Sequence, residues 1–219
     1  MFDNVAADYD RLNHLMSLGI DKGWRKKAVK ATAGACEVLD IACGTGDLSI
    51  GLARAGKKVT GADISEEMMK VMRDKVNREG LQESVTIVKG AAEELPFGDC
   101  SFDAATCAFG IRNFEDRDLG LREMYRVLRQ GGKVVILELS RPENMLLRKL
   151  YDLYFLNILP RIGGKVSGNK SAYNYLPASV VNFPPKDEFL AMMARAGFTS
   201  TTHRALSFGI CRMFTGKRE

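Results

Sequence analysis

The chain has 219 residues, of which 46% are hydrophobic and 27% are charged, with a formal net charge of +5. This length suits one domain with a sizeable core, and the composition excludes disordered and fibrous proteins. The segment MFDNVAADYD at 1–10 is acidic and has no apolar core, which argues against a signal peptide. Five cysteines, without CxxC or metal-ligand spacing, predict a reducing cytosol and no metal site.

Strand and helix patterns alternate through the centre of the chain, as they do in βαβ units. Strands are predicted at 36–42, 58–63, 85–90, 102–108 and 132–139. Helices are predicted at 46–55, 66–80, 117–128, 144–159 and 186–196. Two further strand-like runs, 199–205 and 210–215, predict a closing antiparallel hairpin. We therefore expect an α/β, Rossmann-like fold with a mostly parallel seven-stranded sheet and helices on both faces.

Two segments fall outside this alternation. Residues 1–30 have a helical and basic pattern, and 144–185 combine an apolar helix with an irregular stretch rich in Gly, Ser, Asn, Tyr and Pro. The irregular stretch has too many aromatic residues for a linker and predicts an ordered lid over a site. We expect a single domain, 1–219, to which both segments belong.

The most distinctive motif is a glycine turn between the first predicted strand and the next helix, VLDIACGTGDLS at 38–49. Gly44 and Gly46 let the backbone bend sharply and approach a ligand without an intervening Cβ. Thr45 adds a hydroxyl and a backbone N–H between them. This layout predicts a nucleotide-like ligand at the carboxyl edge of a parallel sheet.

Two carboxylates, Asp40 and Asp47, flank these glycines. A helix start usually attracts phosphate, but acidic side chains at this place would repel a diphosphate. Asp40 is placed to receive an amine or a sulfonium. The motif therefore favours S-adenosylmethionine over NAD, although Asp47 could instead only complement the helix dipole.

The next predicted strand ends in a third carboxylate, Asp63. An acidic residue at this place can accept both ribose hydroxyls of a nucleoside in a bidentate hydrogen bond. Ile64 would then pack against the adenine. The alternative is that Asp63 caps the following helix, a role that Ser65 fits better.

Several motifs resemble those of class I S-adenosylmethionine-dependent methyltransferases. They are DIACGTGDL, GADIS, AEELPF with SFD at 92–103, and RVLRQGGKVVILELS at 126–140. The chain is closer still to the ubiquinone/menaquinone biosynthesis C-methyltransferase family, whose two signature regions appear as YDRLNHLMSLGIDKGWR at 9–25 and RVLRQGGKVVILELS at 126–140. Further similarities are AFGIRNFED at 108–116 and YNYLPASVVNFP at 173–184. The resemblance covers nearly the whole chain and implies the class I methyltransferase fold.

By position, the resemblance places the family's cofactor contacts on Thr45, Asp63, Ala91 with Ala92, and Ala108. Members of the family often have Asp or Asn where Ala91 stands and Ser where Ala108 stands. Only backbone contacts are therefore expected at these two positions. The implied cofactor is S-adenosyl-L-methionine, with S-adenosyl-L-homocysteine as the product.

The resemblance implies methylation of a ring carbon on a polyprenyl hydroquinone, most simply demethylmenaquinol. Because the sulfonium is a reactive donor, positioning and exclusion of water can supply much of the catalysis. Loss of the adjacent phenol proton makes the ring carbon more nucleophilic, which favours a base or an ordered water.

The catalytic candidates come from the segments that resemble the family's active site. Arg112 could stabilise a phenolate, and Asn113 could orient a water or hydroxyl. Segments 1–30 and 144–185 would form the acceptor side, with pocket candidates at Tyr9, His14, Tyr173 and Tyr175, while Trp24 and Arg141 would be supporting residues. A purely structural role remains the alternative for each pocket candidate.

Basic clusters at 22–27, 141–149 and 161–170 are either solvated helix faces or a weakly basic, membrane-facing surface. The predicted helix 144–159 either packs on the core or forms a channel mouth on the membrane for the prenyl tail. We expect no nucleic-acid partner. The expected location is the cytoplasm, and the alternative is a cytoplasmic enzyme that contacts the inner face of the cell membrane peripherally.

Three other functions remain open from the sequence. A methyltransferase of the ubiquinol pathway or of another small-molecule acceptor would share the same motifs. A nicotinamide-dependent oxidoreductase could use the same scaffold. The third function is a methyltransferase fold that binds ligand without catalysis. The intact glycines of the turn and Asp63 argue against this function.

Overall fold

A computed structural model describes residue 17 and residues 19–154 and 177–219. Its strands are β1 (Glu37–Ile41), β2 (Lys58–Asp63), β3 (Val85–Lys89), β4 (Phe102–Ala108), β5 (Leu128–Leu139), β6 (Thr199–Leu206) and β7 (Cys211–Lys217). Its helices are α1 (Asp21–Ala31), α2 (Asp47–Arg54), α3 (Glu66–Arg78), α4 (Arg117–Val127), α5 (Met145–Asp152) and α6 (Lys186–Arg195). Two short 3-10 turns lie at Ile111–Asn113 and Ser207–Gly209.

The seven strands form one sheet in the order β3-β2-β1-β4-β5-β7-β6. Strands β1 to β5 pair in parallel, whereas β7 is antiparallel to both β5 and β6. The predicted fold class is therefore confirmed, including the closing hairpin. Because the strand order reverses at β1, the chain leaves β1 and β4 in different directions and opens a crevice at their carboxyl ends.

Both faces of the sheet are buried, as expected for a parallel sheet. Side chains of α4 and α6 pack on one face, where Leu39 and Ile41 point. Side chains of α1, α2 and α3 pack on the other face, where Val38 points. Alternation along β1 thus places Asp40 on the α1–α3 side, beneath the crevice.

Two sequence predictions of element bounds need correction. The sequence predicts a turn at RQGG before a strand at 132–139, but β5 begins at Leu128. Leu128 pairs with Phe102, and Lys133 pairs with Ala104. The four residues 129–132 between them form a bulge-like shift of register within β5. The predicted helix 144–159 is α-helical only over Met145–Asp152, and residues 155–159 lie outside the described residues. Within residues 17, 19–154 and 177–219 there is no helix that is long and apolar enough to cross a membrane.

The turn between β1 and α2 depends on Gly46. This residue has φ of 84°, and a Cβ placed on it would lie 2.5 Å from Cγ of Met72. Met72 belongs to α3 and is fully buried. The close contact of Gly46 with this side chain therefore sets how near α3 lies to the start of α2.

Replacing Gly46 by alanine tests this constraint. We expect Gly46→Ala to lower the free energy of unfolding by about 2–4 kcal/mol, because left-handed strain and overpacking add together. Gly51 in α2 is the matched control, since a Cβ there would only reach ordinary contact, 3.5 Å from Val29. Gly51→Ala should be neutral or stabilise the chain by up to about 1 kcal/mol in urea unfolding. Equal stability of the two variants would contradict this account.

Candidate functional site

A cavity of about 310 Å³ opens at the carboxyl ends of β1 and β4. The β1–α2 turn and the end of β4 form its floor, and residues of α1, of α5 and Ile210, just before β7, form its walls. Seven residues that the sequence analysis singled out line it: Asp40, Gly44, Thr45, Asp47, Ala108, Arg112 and the supporting candidate Trp24. Sequence reasoning therefore found much of the floor of one real cavity.

The backbone at Gly44 is accessible to a ligand. Its φ is 55°, and an added Cβ would meet no atom within 4 Å. Its N–H donates to Oδ2 of Asp63 at 2.8 Å. The turn is thus held from below while the other side of Gly44 stays uncovered by side chains, which suits close approach of a ligand.

Asp63 has a clear structural role at the end of β2. Besides the N–H of Gly44, its Oδ1 accepts the N–H of Ser65 at 2.9 Å, and Ser65 caps α3 through the N–H of Met68. A carboxylate can accept about four hydrogen bonds, so this role is compatible with the predicted ribose contact. Ile64, next in the chain, is 63% exposed and offers an apolar surface where the sequence expects adenine.

The remaining predicted adenine contacts lie beyond the cavity. Ala91 follows β3 and pairs in an isolated bridge with Glu94. Ala92 is 8% exposed and packs with the core, so its methyl group points away from solvent. Gly46, Asp63, Ile64, Ala91 and Ala92 therefore lie outside the lining of the cavity, and an adenosine bound to them would follow the outer edge of the sheet.

The carboxylate of Asp40 is buried below the cavity floor. It accepts hydrogen bonds from the hydroxyls of Ser49, at 2.6 Å, and Thr106, at 2.7 Å. Burial raises the pKa of this carboxyl from 3.8 to about 6, although both hydroxyls oppose the shift. An ionised Asp40 is therefore a buried negative charge that a nearby cation would stabilise.

The prediction for Asp47 needs a qualification. Its carboxylate forms an ion pair with Lys75 at 2.5 Å and lies 4.0 Å from Arg25. Arg25 also pairs with Asp21. These cations offset the negative charge that the sequence argument used against a diphosphate, so the argument against NAD is weaker at this residue than expected.

Arg112 lies in the 3-10 turn after β4 and is almost fully buried. Its Nη1 donates to Oε1 of Glu138 at 2.8 Å, and its backbone N–H donates to Oε2 at 3.1 Å. Its Nε donates to Oγ of Ser179 at 3.2 Å, and its Nη1 also bonds the carbonyl of Phe109. The guanidinium is therefore held rigidly at the cavity wall.

Glu138 is the functional residue that sequence reasoning missed most clearly. It has no exposed surface, and it is the one acidic residue in the apolar run VVILEL of β5. A charge within a strand buried on both faces requires a partner, which is a usable sequence signal. Asn113, predicted beside Arg112, is half-buried in the same turn and does not line the cavity.

The upper part of the cavity is aromatic. Trp24 lies 6.0 Å from Phe109 between ring centroids, and the guanidinium of Arg25 lies 5.1 Å from the Phe109 ring. Tyr151 of α5 lines the same cavity, and burial raises the pKa of its phenol, which stays protonated. Phe109, Arg25 and Tyr151 were not predicted, because their proximity depends on packing between distant segments. Trp24 was expected as a supporting residue.

Four predicted acceptor-side residues lie outside the described residues: Tyr9, His14, Tyr173 and Tyr175. Their roles stay predictions. Arg141, the other supporting candidate, pairs with Asp152 of α5. It thereby fixes the helix that carries Tyr151.

The pKa of Asp40 makes a stability prediction. Below about pH 4 the carboxyl of Asp40 is protonated in both the folded and the unfolded chain. Between about pH 4 and pH 6 only the folded chain keeps this proton. The free energy of unfolding therefore falls as the pH rises through this window, by about 2–3 kcal/mol. Asp40→Asn lacks this titration, so the variant should gain stability relative to the original chain between pH 4 and 6. Parallel stability curves in urea unfolding would refute the shift.

The pair of Glu138 and Arg112 makes a second prediction. Glu138→Ala leaves a buried guanidinium without its carboxylate and should lower the free energy of unfolding by about 3–5 kcal/mol. Glu138→Gln keeps an acceptor oxygen and should cost clearly less. Chemical unfolding of both variants measures the difference, and equal losses would mean that removal of the negative charge, which both variants share, outweighs the retained acceptor oxygen.

A sequence model of the ubiE/COQ5 methyltransferase family matches residues 1–218. The ubiquinone/menaquinone biosynthesis C-methyltransferase UbiE of Geotalea daltonii is 46% identical over 223 aligned positions, covering 100% of this chain and 94% of the relative. The demethylmenaquinone methyltransferase of Bacteroides fragilis is 43% identical, and the alignment covers 100% of this chain and 91% of the relative.

Solved structures are similar in fold. A S-adenosylmethionine-dependent methyltransferase of Thermotoga maritima superposes with a TM-score of 0.69 at 23% identity, covering 100% of this chain and 98% of its own. This likeness supports the sheet order and the helix layers described above. The family match over almost the full length goes further: the chain belongs to the ubiE/COQ5 methyltransferase family.

Proposed function

We propose that this methyltransferase transfers the methyl group of S-adenosylmethionine to a ring carbon of a polyprenyl hydroquinone, with demethylmenaquinol as the acceptor and menaquinol as the product. One observation carries the proposal: a single cavity joins the glycine turn and Asp40 on its floor to the aromatic wall of Trp24, Phe109 and Tyr151. A donor and a flat apolar ring could therefore meet in one space. The names of the relatives from Geotalea and Bacteroides support the quinol class.

The residues present fit S-adenosylmethionine. The bare backbone of Gly44 accepts close approach, Asp63 stands where the ribose hydroxyls would bind, and the exposed face of Ile64 suits the adenine. Ala91 has only its backbone to offer, as expected. When bound, the cofactor supplies an electrophilic methyl on a sulfonium, and S-adenosylhomocysteine is the product that remains.

Charges at the cavity floor suit the amino-acid end of this cofactor. The buried Asp40 favours a cation near it once ionised, and Arg25, which is already paired with Asp21, lines the same cavity and could share its charge with a ligand carboxylate. Thr45 belongs to the same lining. Affinity for the cofactor should therefore weaken as the pH falls through about 6, because protonation removes the charge of Asp40.

The acceptor half of the reaction depends on Arg112. A guanidinium remains protonated, so at the cavity wall it favours the phenolate form of the hydroquinone, which is the better carbon nucleophile. Glu138 and Ser179 hold it in place. The phenol proton would leave to water or to a polar side chain, and Asn113 remains a candidate for orienting that water from the edge of the turn.

On this proposal, segments 1–30 and 144–185 of a single domain form the acceptor side, and Tyr9, His14, Tyr173 and Tyr175 complete the quinol pocket. The described parts of these segments, α1 and α5, carry Trp24 and Tyr151 into the cavity. All five cysteines are free thiols, which suits a reducing cytoplasm. A benzoquinol of the ubiquinol pathway is the competing acceptor in the same pocket.

A methyl-transfer assay with both reduced acceptors tests the function. We expect the chain to methylate the naphthoquinol faster than the benzoquinol, and Arg112→Ala to lower kcat by about 100-fold or more. Methylation of the benzoquinol alone would reassign the acceptor, and methylation of neither would refute the proposed function.

Binding of S-adenosylhomocysteine, measured by calorimetry, tests the cofactor site separately. Asp63→Ala should weaken binding by about 10- to 100-fold, since a bidentate charge-assisted contact is lost. Asp103 is the matched control, because its carboxylate also accepts two backbone N–H groups, of Cys36 and Glu37, but at the opposite edge of the sheet. Asp103→Ala should bind as the original chain does. Equal losses in both variants would show that Asp63 acts only through the fold.

A further inference from the structure

Large exposed apolar side chains concentrate on two neighbouring elements beside the cavity. Phe208 is 82% exposed, and four residues of α5 and the position after it are 56–73% exposed: Met145, Leu146, Leu150 and Leu153. The two elements are linked, because Gly209 packs against Pro142 and Ile210 packs with Tyr151. Soluble monomers rarely expose apolar side chains in such a group unless it binds something.

Helix α5 is apolar on two sides. Leu147, Tyr151 and Tyr154 follow helical spacing and turn inward, where the two tyrosines line the cavity. Leu146, Leu150 and Leu153 follow the same spacing one residue earlier and turn outward. A helix that only covered the cavity would carry polar residues on its outer side. The outer side of α5 is therefore suited to a second apolar environment.

The turn before β7 presents an aromatic ring outward. Ser207 and Phe208 have φ of 46° and 59°, a left-handed conformation that bulky residues rarely adopt. The turn is fixed on both sides: Nε1 of Trp24 donates to Oγ of Ser207 at 2.9 Å, and Oγ of Ser140 donates to the carbonyl of Gly209 at 2.7 Å. The fold thus keeps a strained backbone at Phe208 without burying its ring. This indicates that the ring contacts another molecule.

The charges around this surface are positive. Arg148 and Lys149 are exposed on α5. The nearby acids are paired with cations: Asp152 of α5 pairs with Arg141. Glu143, just before α5, pairs with Lys186 and Arg212. Helix α1, which contributes Trp24 to the same cavity, has exposed lysines at 22, 26, 27 and 30 and a single acid, Asp21, which is buried. An apolar surface with a basic border complements an anionic lipid bilayer rather than a protein core.

We propose that the outer side of α5 and the Phe208 turn form a docking surface for an anionic lipid bilayer. Docking there places the cavity wall formed by Tyr151 and Tyr154 next to the lipid, so that a prenyl tail can stay in the bilayer while its ring enters the cavity. The purpose of this arrangement rests on the proposed quinol acceptor, but the docking itself does not. This docking surface is where the chain would contact the inner face of the cell membrane peripherally.

Cosedimentation with vesicles tests the surface. The chain should bind vesicles of equal parts phosphatidylcholine and phosphatidylglycerol, and bind phosphatidylcholine alone more weakly. Phe208→Ser and the pair Leu146→Ser with Leu150→Ser should each weaken binding by about tenfold or more, since inserted apolar area is lost. Leu119→Ser, at an exposed leucine of α4, is the matched control and should bind as the original chain does.

The charge component has its own variant. Arg148→Gln with Lys149→Gln should lose the preference for phosphatidylglycerol, as should the original chain at high salt. Absence of vesicle binding, or variants that bind like the original chain, would overturn the docking surface.

Activity separates this proposal from the proposed function. With a short-chain, water-soluble quinol the Phe208→Ser chain should keep the original rate, and with a long-chain quinol in vesicles it should lose rate in parallel with binding. Vesicle binding that depends on Phe208 without methylation of any quinol would refute the function and leave the docking surface standing. Methylation without vesicle binding would refute the docking surface alone.

Discussion

The hydrogen bond from the backbone of Gly44 to the carboxylate of Asp63 determines the geometry of the site. It ties the turn after β1 to the end of β2, and the second oxygen of Asp63 ties in the start of α3 through Ser65. From below, contact of Gly46 with Met72 fixes the spacing between α2 and α3. The bare backbone that faces the cavity is therefore fixed before any ligand arrives.

The region of Arg112, which is the acceptor side on the proposed function, is organised by a different kind of contact. Glu138 and Arg112 form a buried ion pair at the carboxyl ends of β5 and β4, and Arg112 extends to Ser179 in the helical residues 177–181. A buried pair of this kind contributes little net stability compared with apolar packing, but breaking it is costly. Its value here is that a cation is kept in one orientation at the wall of the cavity, which aromatic side chains also line. The glycine turn thus depends on backbone geometry, and the region around Arg112 depends on a positioned charge.

Much of this arrangement could be predicted from the sequence. Strands β2 and β4 begin and end where the sequence predicts, because each follows a polar residue and consists mostly of buried residues. Gly44, Thr45, Asp40 and Arg112 were found because each belongs to a local motif at a strand end. Local motifs are visible without knowing the fold, and the ends of parallel strands meet at one edge.

What could not be predicted depends on packing between distant segments. Glu138 and Arg112 are 26 positions apart, and only the neighbouring places of β4 and β5 in the sheet bring them together. Lys75 and Arg25 offset the charge of Asp47 from two other helices, which no reading of the glycine turn alone would show. The residues 129–132 stay in β5 because Leu128 pairs with Phe102, a tertiary effect that overrides their local turn propensity.

The central claim is that one cavity brings a methyl donor on the glycine turn to an acceptor beside Arg112. The most direct measurement is a crystal structure of the chain with S-adenosylhomocysteine bound. The account predicts ribose hydroxyls within hydrogen-bond distance of Asp63, adenine against Ile64, and the sulfur facing the space between Asp40 and Arg112. A ligand whose ribose lies away from Asp63, or whose sulfur faces out of this cavity, would contradict it.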